Sequence, residues 1–163
     1  MTSRRPIQIA VVGAAECDSS IAALAEETGR LIAEAGAVLV TGGRGGVMEA
    51  ASRGARSRGG IAVGILPGPD GSQANSFLSV TLPTDLGIAR NALVVRAASV
   101  LIAIAGGFGT LSEIAMALKE GIPVVGLHTW QARSPGGQEL PVHPAASAPE
   151  AVALALRLSP PAV

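Results

Sequence analysis

A regular alternation of short apolar runs with longer segments of helical periodicity is the feature that most constrains the fold of this chain. The apolar runs have strand length and occupy residues 7–13, 37–43, 61–67, 77–83, 100–107 and 123–128. Apolar residues recur at helical spacing over about residues 21–36, 47–58, 86–98, 111–120 and 149–158. Apolar strands separated by helices predict a parallel sheet that is covered by helices on both faces.

We therefore predict an α/β fold, a three-layer doubly wound Rossmann-like sandwich with a mainly parallel sheet. The chain has 163 residues, which is the length of one domain, so we expect a single domain over residues 1–163. Residues 129–149 are rich in Pro, Gly, Ser and Ala, and we predict a surface connection there. Asp18, Ser19 and Ser20 are each suited to cap the first helix.

Charge and cysteine content narrow the function classes. Twelve basic residues balance twelve acidic ones, so we expect no nucleic acid and no anionic membrane surface as a partner. The longest uncharged stretch, residues 97–112, is too short to span a bilayer, and residues 1–10 lack a secretory cleavage pattern, so we expect a cytoplasmic protein. Cys17 is the one cysteine and only two histidines are present, which predicts no metal site.

Three of the predicted strands end in glycine. Gly13 ends the first strand, the run TGGRGG covers residues 41–46, and GGFGT covers residues 106–110. Ligands of open parallel sheets bind beyond the carboxyl ends of the strands. A glycine turn that leads into a helix brings backbone N–H groups and the positive helix end close to an anion, so phosphate is the expected ligand. The alternative is that these glycines only make tight turns.

Two common phosphate sites are excluded by their motifs. The first strand leads into GAAECDSS, which lacks the G-x-G-x-x-G fingerprint of dinucleotide enzymes. The phosphate-binding loop of NTPases requires Gly-Lys followed by Ser or Thr, and Lys119, the only lysine, is followed by Glu120. We therefore expect neither a standard NAD enzyme nor an ordinary ATPase.

The segments GGRGGVMEAASRGA (42–55) and GIARNALVVRAASVLIAIAGGFGTLSEIAMALKEGIPVVGL (87–127) resemble the Rossmann-like proteins grouped with the LONELY GUY (LOG) type phosphoribohydrolases. The similarity covers residues 7–128. Within this group the chain is most similar to small proteins labelled "possible lysine decarboxylase", which also resemble molybdenum-cofactor carrier proteins. The family motif P-G-G-x-G-T-x-x-E matches residues 105–113 except that Ala105 replaces Pro.

The resemblance implies roles for particular residues. Arg90 matches the catalytic arginine of the family's M-H-x-R-K helix, and Glu113 matches the catalytic glutamate. We assign to the phosphate and nucleotide site Gly13, Gly42, Gly43, Arg44, Met48, Gly106, Gly107, Phe108, Gly109 and Thr110.

Some of these residues also have purely structural interpretations. Thr110 and Glu113 have the spacing of a helix capping box. Arg90 could be solvated, or it could pair with Asp85 or Glu49 at a subunit contact. Met48 suits the core, Arg44 could be an exposed loop residue, and Phe108 could be an oligomer contact.

Two functions follow from the resemblance. The first is a phosphoribohydrolase that cleaves the N-glycosidic bond of a nucleoside 5′-monophosphate, with Glu113 stabilising an oxocarbenium-like state and Arg90 holding phosphate. The second is a non-enzymatic carrier or sensor of molybdenum cofactor or another phosphorylated ligand. Ala105, Ile88 and Asn91 depart from the catalytic pattern and favour the second.

We expect that neither function requires a cofactor. AMP, phosphate or molybdenum cofactor is the expected bound ligand. A pyridoxal-phosphate lysine decarboxylase is not expected, because Lys119 is better explained as a cation at a helix C-terminus.

The segment LGIARNALVVRAAS (86–99) predicts self-association. Its apolar residues cover more than one stripe of a helix, so part of that surface is expected to be buried against a second subunit. Related LOG-type proteins pair through this region, and the resemblance extends a dimer or tetramer to this chain. The alternative is a long helix that hides both faces inside one subunit.

Overall fold

The computed structural model describes residues 5–160 of the chain. The strands are β1 (Gln8–Gly13), β2 (Val38–Thr41), β3 (Ala62–Leu66), β4 (Val80–Pro83), β5 (Val100–Ile104), β6 (Val124–Leu127) and β7 (Val142–Pro144). The helices are α1 (Ser19–Glu34), α2 (Val47–Ser57), α3 (Asn91–Arg96), α4 (Phe108–Lys119) and α5 (Ala148–Leu158), and a 3₁₀ turn at Gly87–Arg90 precedes α3.

The seven strands form one sheet in the order β4-β3-β2-β1-β5-β6-β7, and every neighbouring pair is parallel. The chain first moves outward from β1 through β2 and β3 to β4. It then returns to the other side of β1 and continues outward through β5 and β6. The predicted Rossmann-like α/β fold is confirmed, and the sheet is parallel throughout.

Both faces of the central strands are buried, which gives the three layers. Ile9 and Val11 of β1 pack in one apolar cluster with residues of α1, α2 and α5. Ala10 and Val12 point the other way and pack in a second cluster with residues of α3 and α4. Successive strand residues face opposite sides of a sheet, so an uninterrupted apolar run is what a strand covered on both sides requires.

The structure corrects several predicted boundaries. The predicted helix over residues 86–98 is a short 3₁₀ turn followed by α3, because Gly87 adopts a φ of 55° that a continuous α-helix does not allow. Residues 129–149 contain strand β7 at the edge of the sheet as well as the predicted connection. Asp18 is the residue that caps α1, since its Oδ1 accepts the N–H of Ile21 at 2.9 Å.

No helix within residues 5–160 is long and apolar enough to cross a bilayer.

The crossing of α1 and α2 depends on two glycines, Gly29 and Gly54. A Cβ atom at Gly29 would overlap the carbonyl oxygen of Ala51, and one at Gly54 would overlap that of Glu26. The two helices are therefore packed backbone against backbone.

We predict that Gly29→Ala lowers the free energy of unfolding by roughly 1–3 kcal/mol, because the added methyl group forces the helices apart. This loss should exceed the gain of up to about 1 kcal/mol in helix propensity. Urea denaturation followed by circular dichroism measures the change. Gly71→Ala is the control, because no heavy atom lies within 4 Å of the added Cβ there. Equal stability of Gly29→Ala and the wild type would contradict the packing argument.

Candidate functional site

The strand order reverses between β1 and β5, and the crevice beyond their carboxyl ends is the expected ligand position in a sheet of this class. Gly13 at the end of β1 pairs with Ile104 at the end of β5, so the turns after these two strands are neighbours. A Cβ atom at Gly13 would lie 2.6 Å from the carbonyl oxygen of Ile104 and equally close to Val47. Gly13 is therefore needed for close packing at the floor of the crevice.

Most of the other predicted site glycines are also explained by packing. A side chain at Gly42 would overlap Arg90 and Met48, and one at Gly43 would overlap Leu66. Gly106 adopts a φ of 100° and packs against Thr110. By contrast, Gly107 and Gly109 have no heavy atom within 4 Å of an added Cβ. The open part of the glycine turn is thus confined to these two residues, which we call the cradle.

The cradle forms the N-terminus of α4. Gly107 is the N-cap residue and supplies no side-chain cap, and the first intrahelical bond runs from the N–H of Leu111 to the carbonyl of Gly107 at 3.1 Å. The N–H groups of Phe108, Gly109 and Thr110 precede that bond and have no acceptor inside the helix. Together with the helix dipole they suit an anion.

The capping-box interpretation of Thr110 and Glu113 is wrong. Helix α4 begins at Phe108, which is three residues earlier than predicted, so Thr110 lies inside the first turn. Both side chains are buried, with 3% of Thr110 and 8% of Glu113 exposed. Glu113 therefore faces inward from the second turn of α4 and does not cap its start.

Two residues outside the predicted site, Thr129 and Trp130, hold the glycine turn in place. Thr129 Oγ1 donates a hydrogen bond to the carbonyl of Ala105 at 2.7 Å, and Trp130 Nε1 donates to the carbonyl of Gly107 at 3.0 Å. Ala105 itself adopts a φ of 47°. Proline cannot adopt this angle, so the replacement of the family's proline by Ala105 goes with a different local backbone.

Arg90 is 7% exposed and lies at the end of the 3₁₀ turn. Its Nη1 donates to the carbonyl oxygens of Gly42 at 2.5 Å and Ile65 at 2.6 Å, and its buried Nε has no partner among residues 5–160. The interpretation as a solvated arginine is therefore wrong, and within one subunit Arg90 bonds to backbone carbonyls rather than to Asp85 or Glu49. Arg90 joins the carboxyl ends of β2 and β3, and one polar atom remains unsatisfied.

Burial and charge perturb both predicted catalytic residues. Burial raises the pKa of Glu113 to about 7, and the nearby charge of Arg90 only partly opposes this shift. Burial likewise lowers the pKa of Arg90, with the charge of Glu113 acting against the shift and that of Arg44 adding to it. The two side chains are thus electrostatically coupled, and the Glu113 carboxyl is poised to exchange a proton near neutral pH.

Arg44 is exposed and lines a cleft of about 530 Å³ together with Arg90, Gln73 and Gly87. The turn that carries Arg44 is held by Asn75, whose Nδ2 donates to the carbonyls of Gly43 at 3.2 Å and Arg44 at 3.0 Å. Asn75 was missed by the sequence analysis, although it lies in a loop rich in Gly, Ser and Asn. Only its tertiary contacts distinguish it from its neighbours.

The remaining predicted residues have clear surroundings. Met48 is buried in α2, in agreement with core packing, and its Sδ lies next to Gly42. Phe108 is 81% exposed, and its ring centroid lies 5.7 Å from that of Trp130. Among residues 5–160 no group of three or more His, Cys, Asp or Glu side chains could hold a metal ion.

Comparison with known proteins identifies the family. Residues 6–152 match the model of the SLOG cluster4 family. A protein from Archaeoglobus fulgidus described only as uncharacterized is 50% identical over 121 residues, which cover 74% of this chain and 80% of that protein. The chain belongs to the SLOG cluster4 family.

Two solved structures are similar over nearly their whole lengths. The molybdenum cofactor binding protein from the phototrophic bacterium Rippkaea orientalis is 35% identical, with a TM-score of 0.86 over 96% of this chain and 99% of that one. The molybdenum cofactor carrier protein from Chlamydomonas reinhardtii is 34% identical, with a TM-score of 0.80 over 94% and 98%. Molybdenum cofactor carrier proteins are thus close structural neighbours of this chain.

We predict that the stability of the protein falls between about pH 5 and pH 8 relative to Glu113→Gln. The folded-state pKa of Glu113 is raised, so the protonated carboxyl is tolerated and its ionisation opposes folding. The difference in free energy of unfolding between the wild type and Glu113→Gln should change by roughly 2–3 kcal/mol across this range and level off at higher pH. Urea denaturation at each pH measures it. A difference that stays constant with pH would contradict a buried Glu113 carboxyl with a raised pKa.

Proposed function

We propose that this member of the SLOG cluster4 family is a binding protein for a phosphorylated small molecule and serves as a carrier of molybdenum cofactor, a phosphorylated pterin. The observation that carries the proposal is the cradle, where Gly107 and Gly109 face open space at the N-terminus of α4. The names of the two similar solved structures support the choice of cargo.

The surroundings of the cradle suit a phosphate ester. The N–H groups of Phe108, Gly109 and Thr110 and the dipole of α4 would bind the phosphate oxygens. Arg44 and Arg90 line the neighbouring cleft and add positive charge. Nη1 of Arg90 already binds two carbonyls, and its buried Nε has no partner among residues 5–160. The residues present therefore fit the phosphate of such a cargo.

A carrier needs affinity and no bond cleavage, and the site is consistent with that requirement. Ile88 and Asn91 stand where the LOG motif has histidine and lysine, and Ala105 stands where it has proline. Arg90 is held by hydrogen bonds to the carbonyls of Gly42 and Ile65, and these bonds limit its freedom to move during a reaction. These features favour binding over hydrolysis.

We predict that protein purified from a host that makes molybdenum cofactor retains it, and that Gly107→Val retains less than about a tenth as much. Gly107 has a negative φ of −101°, and no heavy atom lies within 4 Å of an added Cβ, so the new side chain has room to occupy the cradle. Mass spectrometry and molybdenum analysis of the retained ligand measure the loss.

Ala115→Val is the matched control, because it adds similar bulk at an exposed position of the same helix. It should retain as much ligand as the wild type. Equal retention by Gly107→Val and Ala115→Val would show that the cradle is not the binding site. Retention of AMP or ribose 5-phosphate in place of a pterin would contradict the carrier function.

A second candidate function is the phosphoribohydrolase, and the observation that favours it is the buried Glu113 carboxyl with its pKa of about 7. Such a group could protonate a departing base or, when ionised, stabilise an oxocarbenium-like state. It would act together with Arg90, to which it is electrostatically coupled.

For the hydrolase we predict release of free base from AMP or a related nucleoside monophosphate, and its loss by more than about 100-fold in Glu113→Gln. Binding of the monophosphate should change little, because glutamine keeps the size of the side chain. Chromatography of the released base gives the rates. Absence of base at high protein concentration across a panel of monophosphates would exclude this function.

We also propose that the protein associates with copies of itself through an apolar surface formed by β4, the 3₁₀ turn and α3. The large side chains exposed there are Val80, Leu82, Leu86, Ile88 and Leu93. The helix is short and these side chains lie outside the core, so the alternative of a long helix hidden within one subunit is wrong. An exposed apolar patch of this kind is typical of an interface.

We predict that light scattering at micromolar concentration gives a mass that is a multiple of 16.1 kDa. Ile88→Glu should shift the mass toward that of one chain, because Ile88 is 79% exposed and a charge there would be buried in the assembly. Ala115→Glu on α4 is the control and should leave the mass unchanged. A wild-type mass near 16.1 kDa would rule out the interface.

A further inference from the structure

A second cavity, of about 720 Å³, lies at the β6 and β7 edge of the sheet. One wall is the segment 129–141, which follows β6 and leads into β7. Residues that line the cavity include His128, Trp130, Gln131, Arg133, Leu140 and Val142. This volume lies within the range of pockets that hold a small molecule, about 300–1,000 Å³. Neither the cradle nor the cleft of Arg44 and Arg90 shares these residues.

The wall is ordered by its own hydrogen bonds. Leu140 N–H donates to the carbonyl of Ala132 at 2.9 Å, and Ser134 N–H donates to that of Gln138 at 2.7 Å. Arg133 and Glu139 pair at 2.8 Å across the same segment. The segment is therefore a small hairpin that keeps the cavity open.

Trp130 connects the cavity to the cradle. Its indole N–H is fixed on the carbonyl of Gly107 at 3.0 Å, its ring lies beside Phe108, and the same side chain lines the cavity. The edge of the indole is thus one hydrogen bond away from the N-cap residue of α4. A ligand whose phosphate occupies the cradle has the cavity within reach of its other end.

The chemistry of the lining suits an uncharged planar group. The charges of Arg133 and Glu139 pair at 2.8 Å, so together they give the lining no net charge. Leu140, Val142 and the indole supply apolar surface, while Gln131 and His128 supply hydrogen-bonding groups. Aromatic side chains bind flat rings by offset stacking, and polar groups at the rim form hydrogen bonds with the edge of the ring.

We propose that this cavity binds the planar heteroaromatic ring of the phosphorylated ligand, with Trp130 as the residue that selects for a ring. The inference rests on the proposed function, because it takes the phosphate to lie in the cradle. It assigns the cationic cleft of Arg44 and Arg90 to the anionic part of the ligand and the neutral cavity to its ring.

The test compares three probes: AMP, a pterin monophosphate, and ribose 5-phosphate, which lacks a ring. Trp130 is the only tryptophan of the chain, so the tryptophan fluorescence comes from this side chain alone, and ribose 5-phosphate shows how much of any change is due to the phosphate. At least one ring-bearing probe should quench that fluorescence and bind more tightly than ribose 5-phosphate by calorimetry. Trp130→Leu removes both the stacking surface and the hydrogen bond to Gly107, so it should weaken this probe by about 10-fold or more beyond any loss that it causes for ribose 5-phosphate.

A second variant separates stacking from support of the glycine turn. Ala132→Phe narrows the cavity but keeps the hydrogen bond from Trp130 to Gly107, and it should weaken the ring-bearing probe by a similar factor. If Trp130→Leu weakens ribose 5-phosphate as much as the ring-bearing probe, Trp130 only supports the turn and the inference is wrong. The inference is also wrong if Ala132→Phe changes the binding of neither the ring-bearing probe nor ribose 5-phosphate.

The outcomes distinguish this inference from the proposed function. If ribose 5-phosphate binds and neither ring-bearing probe binds more tightly, the cavity assignment fails while phosphate binding at the cradle stands. If none of the three probes binds the wild-type protein, the proposed function fails, and the cavity assignment fails with it.

Discussion

The parallel sheet, which must bury both of its faces, is the constraint on which the rest of this structure depends. Parallel strands need a crossover between them, and here most crossovers are helices that cover one face or the other. Every strand therefore ends at the same edge. Since the order reverses between β1 and β5, the turns after these strands are brought together in one crevice. The position of the candidate site is a consequence of topology.

Within that crevice, the buried guanidinium of Arg90 determines how the turns are arranged. Removing a charge from water is costly unless hydrogen bonds replace the lost hydration. Two carbonyls, at Gly42 and Ile65, supply part of that replacement, and Gly42 must lack a side chain for the guanidinium to fit. Compensation is incomplete, because the buried Nε has no partner among residues 5–160. Burial raises the pKa of Glu113 to about 7, so near neutral pH this carboxyl offsets only part of the guanidinium charge.

Much of the fold could be predicted from the sequence because the strands are apolar on both faces and the helices are amphipathic. Strand β7 could not, since its three residues include His143 and Pro144 and owe their position to pairing with β6. The start of α4 was misplaced because its first residues, Phe108 and Gly109, follow two glycines and resemble a continued turn. Arg90 and Glu113 were found through motif similarity, but their burial and the carbonyl partners of Arg90 arise from residues far away in the chain.

The cradle is held in shape by two backbone positions that L-residues rarely adopt. Ala105 and His128 follow β5 and β6 with φ values of 47° and 49°. They come directly after the paired residues Ile104 and Leu127, and the N–H of Ala105 donates to the carbonyl of Leu127 at 3.0 Å. Positive φ at a non-glycine residue costs energy and persists only where surrounding contacts enforce it. Thr129 and Trp130 supply such contacts on the carbonyls of Ala105 and Gly107. The backbone of the glycine turn is therefore fixed by contacts within the protein.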